Sequence, residues 1–403
     1  METREILDHS ASLLNSTVNN RNLHLRRLSV SRKKDGKAKD TISTTSPSRP
    51  AKERKSPKRK RLQQLTNKRW KIPLMLVVLV LVLYALNPSE SNITYPLIFL
   101  SYKIQSVSDN VASVEYGKGP QDIAFVAFYT LVLFFAREFI MHELLRPLAL
   151  SFGITSRSKQ DRFNEQVYVT IYTGVVGPLG LYVMYHSPSW YFSTAGTYAG
   201  YPHRTHSAVT KFYYLVQAAF WAQQALVMLL GLEKRRRDFK ELVVHHIVTV
   251  SLIALSYRFH FTMMGVLVYV THDISDFFLA TSKSLNYIDS SLQGPYYTLC
   301  IIFWVYLRHY VNLKILASIL TEFRTIGPYG LDWEAEQYKC EISNVIAFAL
   351  LAALQALNLF WLYCLLRNGY RFVVLGVAKD DREEDEDNEN DARGPAAEQE
   401  HKK

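Results

Sequence analysis

Cysteine is scarce in this chain. Only Cys300, Cys340 and Cys364 occur in 403 residues, and none stands in CxxC spacing, so no disulfide framework is expected. An apolar run at the N-terminus is missing too. The first begins at Ile72, behind a long charged tail, which argues against a cleavable signal peptide. No aromatic residue precedes Trp70, so the basic N-terminal stretch does not read as a nucleic-acid binder. Both terminal regions lack apolar periodicity and are expected to be disordered. Residues 21–61 hold 16 Lys or Arg against 3 acids; beside a membrane span such a tail can lie on anionic headgroups. The C-terminal "DDREEDEDNENDARGPAAEQE" is acidic, and residues 372–403 contain no Ser or Thr. Kinase control is therefore not expected there, whereas Arg26-Arg27-Leu28-Ser29 makes Ser29 a candidate phosphorylation site.

What is abundant is apolar sequence in blocks. Hydrophobic residues make up 48% of the chain and gather into runs of about 15–25 residues, close to the length of a helix that crosses hydrocarbon. The expected fold class is an all-α polytopic membrane protein with about eight transmembrane helices, near 72–86, 122–146, 166–186, 209–231, 240–257, 261–280, 296–320 and 343–366. Four segments follow: a disordered basic tail (1–69), a first transmembrane helix with its loop (70–120), a multi-helix membrane domain (121–370) and an acidic tail (371–403). Placing the basic N-terminus in the cytosol puts "RSKQDR", "EKRRRDFK", "TSKSLNY", Arg367 and Arg371 on the same side, as the positive-inside rule expects. Both termini are then cytosolic. Asn92-Ile93-Thr94 is a glycosylation sequon on the opposite side. The fifth and sixth spans are separated only by "YRFHF".

Ionisable groups inside a membrane are costly and mark a cavity or a partner. The fifth span carries His245 and His246; the sixth carries His272, Asp273 and Asp276. The two spans are antiparallel about Phe259. His246 lies 13 residues before it and Asp273 lies 14 after it, so both sit roughly 20 Å from the turn. Asp273 and Asp276 are three apart and share a face. His245 and His246 are about 100° apart, so one is expected to meet substrate while the other orients or pairs with an aspartate. An imidazole held by a carboxylate can act as a general base or carry an acyl group as a nucleophile. A structural His–Asp network and a zinc or iron site are the other readings, the latter disfavoured because adjacent histidines on a helix chelate poorly.

Other polar groups lie in the apolar runs. Arg308, His309 and Asn312 stand on the seventh span, where Arg308 and Asn312 share a face; with Tyr257 and His272 they are candidate substrate contacts. Glu138 and His142 are spaced for an ion pair. Gln217, Gln223 and Gln224 suit interhelical hydrogen bonds. Arg258 and His260 belong at the turn. Trp190, Tyr191 and Tyr201 are expected in an interfacial aromatic belt.

The stretch "HHIVTVSLIALSYRFHFTMMGVLVYVTHDISDFFLATSKSLNYI" resembles the Lag motif of ceramide synthases within the TLC domain. The likeness runs upstream through "TYAGYPHRTHSAVTKFYYLVQAAFWAQQALVMLLGLEKRRRDFKELV" and downstream through "FWVYLRHYVNLKIL", over roughly residues 120–370. The absence of a homeobox-like insert and the long basic tail resemble the fungal branch. The resemblance implies an endoplasmic-reticulum enzyme that transfers a fatty acyl group, very long in the fungal branch, from acyl-CoA to the amino group of a sphingoid base. Its catalytic histidines map onto His245 and His246, its paired aspartates onto Asp273 and Asp276. It implies no cofactor or metal beyond the acyl-CoA substrate, a small single-span accessory subunit, and a homodimer or paralogue dimer. A non-catalytic lipid-binding or membrane-insertion protein of the same domain, and a metal-dependent intramembrane hydrolase, are the alternatives.

Overall fold

Lipid offers no hydrogen bonds, so an apolar chain crossing it satisfies its backbone internally, as helices. A computed structural model describes residues 69–108, 111–233 and 236–375; Ser29 and almost all of both expected tails lie outside them. Among the described residues there are eight long helices: α1 Lys71–Leu86, α3 Gln121–Ser151, α4 Arg157–Tyr185, α6 Ala208–Leu229, α7 Phe239–Arg258, α8 Thr262–Tyr287, α9 Gln293–Thr321 and α10 Glu341–Leu375. Two short helices, α2 Tyr95–Ile98 and α5 Thr194–Tyr198, lie in the loops. Six of the long helices have the length and composition to cross a membrane, which makes this a multi-pass membrane protein. The other two differ in kind. α1 is apolar but has 16 residues, and α6 buries Lys211, Gln217 and Gln223 in its 22.

Successive long helices reverse direction, giving the bundle two ends. At the near end, where α1 begins, Arg236 lies 3.8 Å from Glu165 and Arg137 lies 2.5 Å from Glu233. At the far end the loops other than the α7–α8 corner are longer and carry structure that hydropathy does not mark. Strands β1 (Lys103–Ser108) and β2 (Val111–Tyr116) pair antiparallel with Lys103 opposite Tyr116, and β3 (His206–Ser207) adds to β2. Ser207 then caps α6, its Oγ accepting from Thr210 N at 3.3 Å, a usual way to satisfy a helix's first amides.

α7 and α8 are separate helices. His260 adopts φ +64°, and Phe261 N donates to Ser256 O at 2.8 Å, closing α7 with a left-handed residue as in a Schellman cap. Lys118 secures this corner from the β2–α3 loop, donating to Thr262 Oγ1 at 2.6 Å and Tyr257 O at 3.2 Å and meeting His260 Nδ1 at 3.2 Å. Burial lowers the Lys118 amine to about 7 and, with Lys118 beside it, the His260 imidazole to about 4.

α8 lies at the centre, against α4. Small residues let membrane helices approach closely, and Gly180 is such a point. A Cβ there would stand 2.5 Å from the Tyr213 hydroxyl and 2.8 Å from Val270 Cγ2. Gly180→Val is therefore expected to destabilise the bundle by about 1–3 kcal/mol, the usual cost of overpacking. Thermal unfolding in detergent checks this; an unchanged midpoint would mean that Tyr213 yields freely.

The aromatic belt is partly as expected. Trp190 and Tyr191 are exposed, but Tyr201 is buried. Its hydroxyl donates to Phe259 O at 2.8 Å and accepts from Tyr338 N at 3.3 Å, so it ties the α7–α8 corner to the loop before α10 instead of facing an interface. The Glu138–His142 contact forms, at 3.5 Å.

Candidate functional site

The two histidines of α7 differ in their surroundings although both are buried. His246 places Nδ1 2.9 Å from Leu242 O, one turn back. His245 Nδ1 has no hydrogen-bond partner. Three rings surround His245 instead, nearly perpendicular to it: Trp361 at 5.1 Å, Trp221 at 5.5 Å and His246 at 5.7 Å between centroids. Neither tryptophan was singled out from the sequence. The signal available was an indole within an apolar run, on α6 and on α10, and nothing in one sequence sets either at the depth of His245.

The aspartates of α8 do not hold these imidazoles, which corrects the expected His–Asp pairing. Asp273 Oδ2 accepts from the Tyr213 hydroxyl at 3.1 Å and from Gln217 Nε2. Gln217 also accepts from Tyr172 at 3.0 Å. Asp276 is paired with Arg308. The physical reason is the order of packing: α8 is flanked by α4, α6 and α9 as well as α7, and its carboxylates meet the polar residues of α6 and α9. His272, on the same helix, is the residue that comes toward His245. Its Nδ1 lies 2.8 Å from Val268 O, and its buried Nε2 has no partner.

α9 widens into a π turn over Val305–Val311, a feature frequent at functional sites. It turns Arg308, His309 and Asn312 all inward. Arg308 donates to Ser275 Oγ at 2.6 Å and Asn358 Oδ1 at 3.1 Å, and its guanidinium lies 4.2 Å from the Trp304 ring. Gln355 of α10 bridges the other two, accepting from Asn312 Nδ2 at 2.7 Å and meeting His309 Nδ1 at 2.8 Å. These three residues thus form a polar spine behind α8. Tyr257 is not brought to the histidines. It lies at the far end, where its hydroxyl donates to Asp122 Oδ2 at 2.8 Å. Gln217 is the interhelical donor expected of α6, whereas the Gln223 side chain is buried without a partner.

A cavity of about 250 Å³ opens between α6, α7, α8, α10 and the loop before α10. His245, Trp221 and His272 line one part of it, and Leu331, Trp333 and Tyr338 line another. Its wall is almost wholly apolar. From His245 to Arg258, at the end of α7, the helix rises about 20 Å, so the cavity follows most of the length of that helix. His246, Asp273, Asp276, Arg308, His309 and Asn312 are not on its wall. The arrangement can hold a long apolar chain with its head beside two imidazoles, each keeping one nitrogen unpartnered.

Among the described residues no three His, Cys, Asp or Glu side chains are grouped as metal ligands. Asn92 of the sequon is folded onto the end of α1: Nδ2 donates to Asn87 O at 2.8 Å and Leu83 O at 3.2 Å, while Oδ1 accepts from Thr94 Oγ1 at 2.8 Å.

Comparison with known proteins adds to this geometry. Residues 162–367 match the TLC domain. The chain is 57% identical over 323 residues to a sphingosine N-acyltransferase-like protein, FUM17, of Gibberella moniliformis, covering 79% of this chain and 83% of that one. It is 47% identical over 323 residues to the ceramide synthase LAG1 of Saccharomyces cerevisiae, covering 80% and 77%. It is 47% identical over 322 residues to the sphingosine N-acyltransferase lac1 of Schizosaccharomyces pombe, covering 80% and 82%.

Proposed function

The chain belongs to the TLC-domain family, and from that premise we propose that it is a ceramide synthase, joining a long fatty acyl group from acyl-CoA to the amino group of a sphingoid base. The single observation that carries the reading is the apolar cavity lined by His245 and His272. An acyl chain laid along it sets its thioester beside the histidines. The amine nitrogen attacks the carbonyl carbon, the carbon–sulfur bond breaks, and CoA leaves as its thiol. His245 accepts the proton that the amine sheds, and that proton passes to the departing sulfur. His272 lines the same cavity and offers the second imidazole. Asp273, fixed by Tyr213 and Gln217, and Asp276, fixed by Arg308, are the supporting pair; they act on α8 and its packing and not as direct hydrogen-bond partners of the histidines. The polar spine of Arg308, His309 and Asn312 has the same supporting role.

The place of His245 on the cavity wall also admits a second form of the same reaction, in which the imidazole is acylated first and then passes the chain to the amine. Labelled acyl-CoA offered without amine separates the two. Label trapped on His245 supports the acyl-imidazole form, and a protein free of label supports direct attack.

The basic loop at the near end and the position of His245 toward that end suit CoA arriving from the cytosol, with the endoplasmic-reticulum membrane as the setting and both termini cytosolic. No cofactor is required, since acyl-CoA is a substrate. Asn92 glycosylation would have to release the amide from Asn87 and Leu83. A single-span accessory subunit and a homodimer or paralogue dimer are the partners proposed.

The test is lipid mass spectrometry of the purified protein offered mixed acyl-CoAs and sphingoid bases. N-acylated base is expected; free fatty acid as the sole product would favour a hydrolase, and no product a lipid-binding role. Ala347 lies on the cavity wall, near the start of α10. Ala347→Phe is therefore expected to shift products toward shorter acyl chains; an unchanged chain distribution would mean that the chain does not extend past it.

A further inference from the structure

We propose that Trp361 is a positioning residue for His245, set in place by Asp238. The inference rests on the reading of His245 as the reacting imidazole. A working histidine ordinarily has its second nitrogen fixed by a carboxylate or a carbonyl. His246 and His272 each have such a carbonyl at Nδ1, from Leu242 and Val268. His245 has none, for its Nδ1 is buried and unpartnered. Its orientation must come from the rings around it, and edge-to-face aromatic contacts supply directional packing of about 0.5–1.5 kcal/mol each.

Of the two indoles, one is anchored. Trp361 Nε1 donates to Asp238 Oδ2 at 3.3 Å, whereas Trp221 Nε1 is buried without a partner. Asp238 immediately precedes α7 and stands seven residues before His245, a spacing that returns to the same helix face after two turns. The Trp361 side chain on α10 therefore reaches α7 at two points on one face: by its nitrogen at the start of the helix and by its ring at the imidazole, 5.1 Å away at 82°. Trp221 lines the cavity with His245, and Trp361 does not. Trp361 thus touches the imidazole without forming part of the wall that meets the acyl chain. Asp238 is linked through one indole to His245.

The test uses the full chain in detergent or bilayers, with four variants. Trp361→Leu removes the aromatic ring, and Trp361→Phe keeps a smaller ring without the N–H donor. Asp238→Ala removes the acceptor, and Asp238→Asn keeps an oxygen that can accept. Misplacing a reacting group by about 1 Å can cost about 10²-fold. Trp361→Leu is accordingly expected to lower kcat about tenfold or more, with KM for acyl-CoA changed less than about twofold. Trp361→Phe and Asp238→Ala should fall between it and the parent, and Asp238→Asn should recover most of what Asp238→Ala loses. A readout independent of turnover is the rate at which diethyl pyrocarbonate modifies His245, followed by peptide mass spectrometry. That rate should change in Trp361→Leu and Asp238→Ala while the exposed His186 reacts as in the parent.

Parent kcat together with parent His245 reactivity in Trp361→Leu would overturn the proposal. So would a rise in KM at constant kcat, which would make Trp361 a substrate contact. If Trp361→Leu does not fold, the comparison of Asp238→Ala with Asp238→Asn decides, and equal losses in both would overturn the proposal. Full acyl transfer by His245→Ala would instead remove the role given to His245, while the modification rates would still report whether Trp361 sets its ring.

Discussion

Alanine in place of His245 is expected to lower amide formation by about 10²–10⁴-fold, the range supplied by a positioned proton-transfer group, while the protein remains folded in the membrane. The size follows from position. His245 is on the cavity wall and stands where an acyl chain filling the cavity would place its head. No carboxylate or cysteine on that wall could take over the proton near it; Cys340, the wall's cysteine, belongs to the loop that enters α10 at the opposite end. His246→Ala is also expected to lose activity, through the His245–His246 ring contact, and less severely. Turnover with labelled acyl-CoA, corrected for folded protein, decides. Parent-like turnover in His245→Ala would remove the histidine from the chemistry, and a loss confined to His246→Ala would exchange the two roles.

The second large effect concerns stability. The buried Arg308 pairs with the partly exposed Asp276, and its guanidinium is also bonded to Ser275 and Asn358 and lies against Trp304. Removing one partner of a buried pair leaves an uncompensated charge and costs about 3–5 kcal/mol. Asp276→Asn, which strands the buried guanidinium, is expected to lose that much, seen as a large drop in thermal midpoint in detergent, and Arg308→Met less, because the Asp276 carboxylate it strands is partly exposed. The double variant Arg308→Met/Asp276→Asn should lie closer to the parent than either single one, because no charge is then stranded. A double variant as unstable as the sum of the two would show that the residues act independently and that the pair is not what holds α8 to α9.

Several of these features were legible in the sequence. Apolar blocks marked all eight long helices, six of them with the length and composition to cross a membrane, because a bilayer leaves the chain little else to be. Matching distances from Phe259 correctly set the histidines of α7 level with the polar group of α8. What the sequence left open was rotation. Depth along a helix follows from counting, but the direction of a side chain follows from which neighbours pack where. So His272 and not Asp273 shares the cavity with His245, and Asp273 faces Tyr213 and Gln217. The π turn at Val305–Val311 leaves no trace in hydropathy, and it is what turns both Arg308 and His309 inward. Tyr257 is the last residue but one of α7, close to the far-end loops, which is why it meets Asp122. The small sheet also had a local signal. Runs rich in Val and Ser flank Asp109-Asn110, a hairpin pattern easily overlooked between long apolar helices.

The central claim is that an acyl chain lies along the cavity with its carbonyl at His245. Photo-crosslinking tests it most directly, using two acyl-CoA analogues, one with a diazirine near the carboxyl end and one with a diazirine at the chain terminus. The first is expected to label peptides containing Trp221, His245 or His272, and the second peptides containing Trp333 or Tyr338. Labelling of one peptide set by both probes, or only of helix faces outside the cavity, would contradict it.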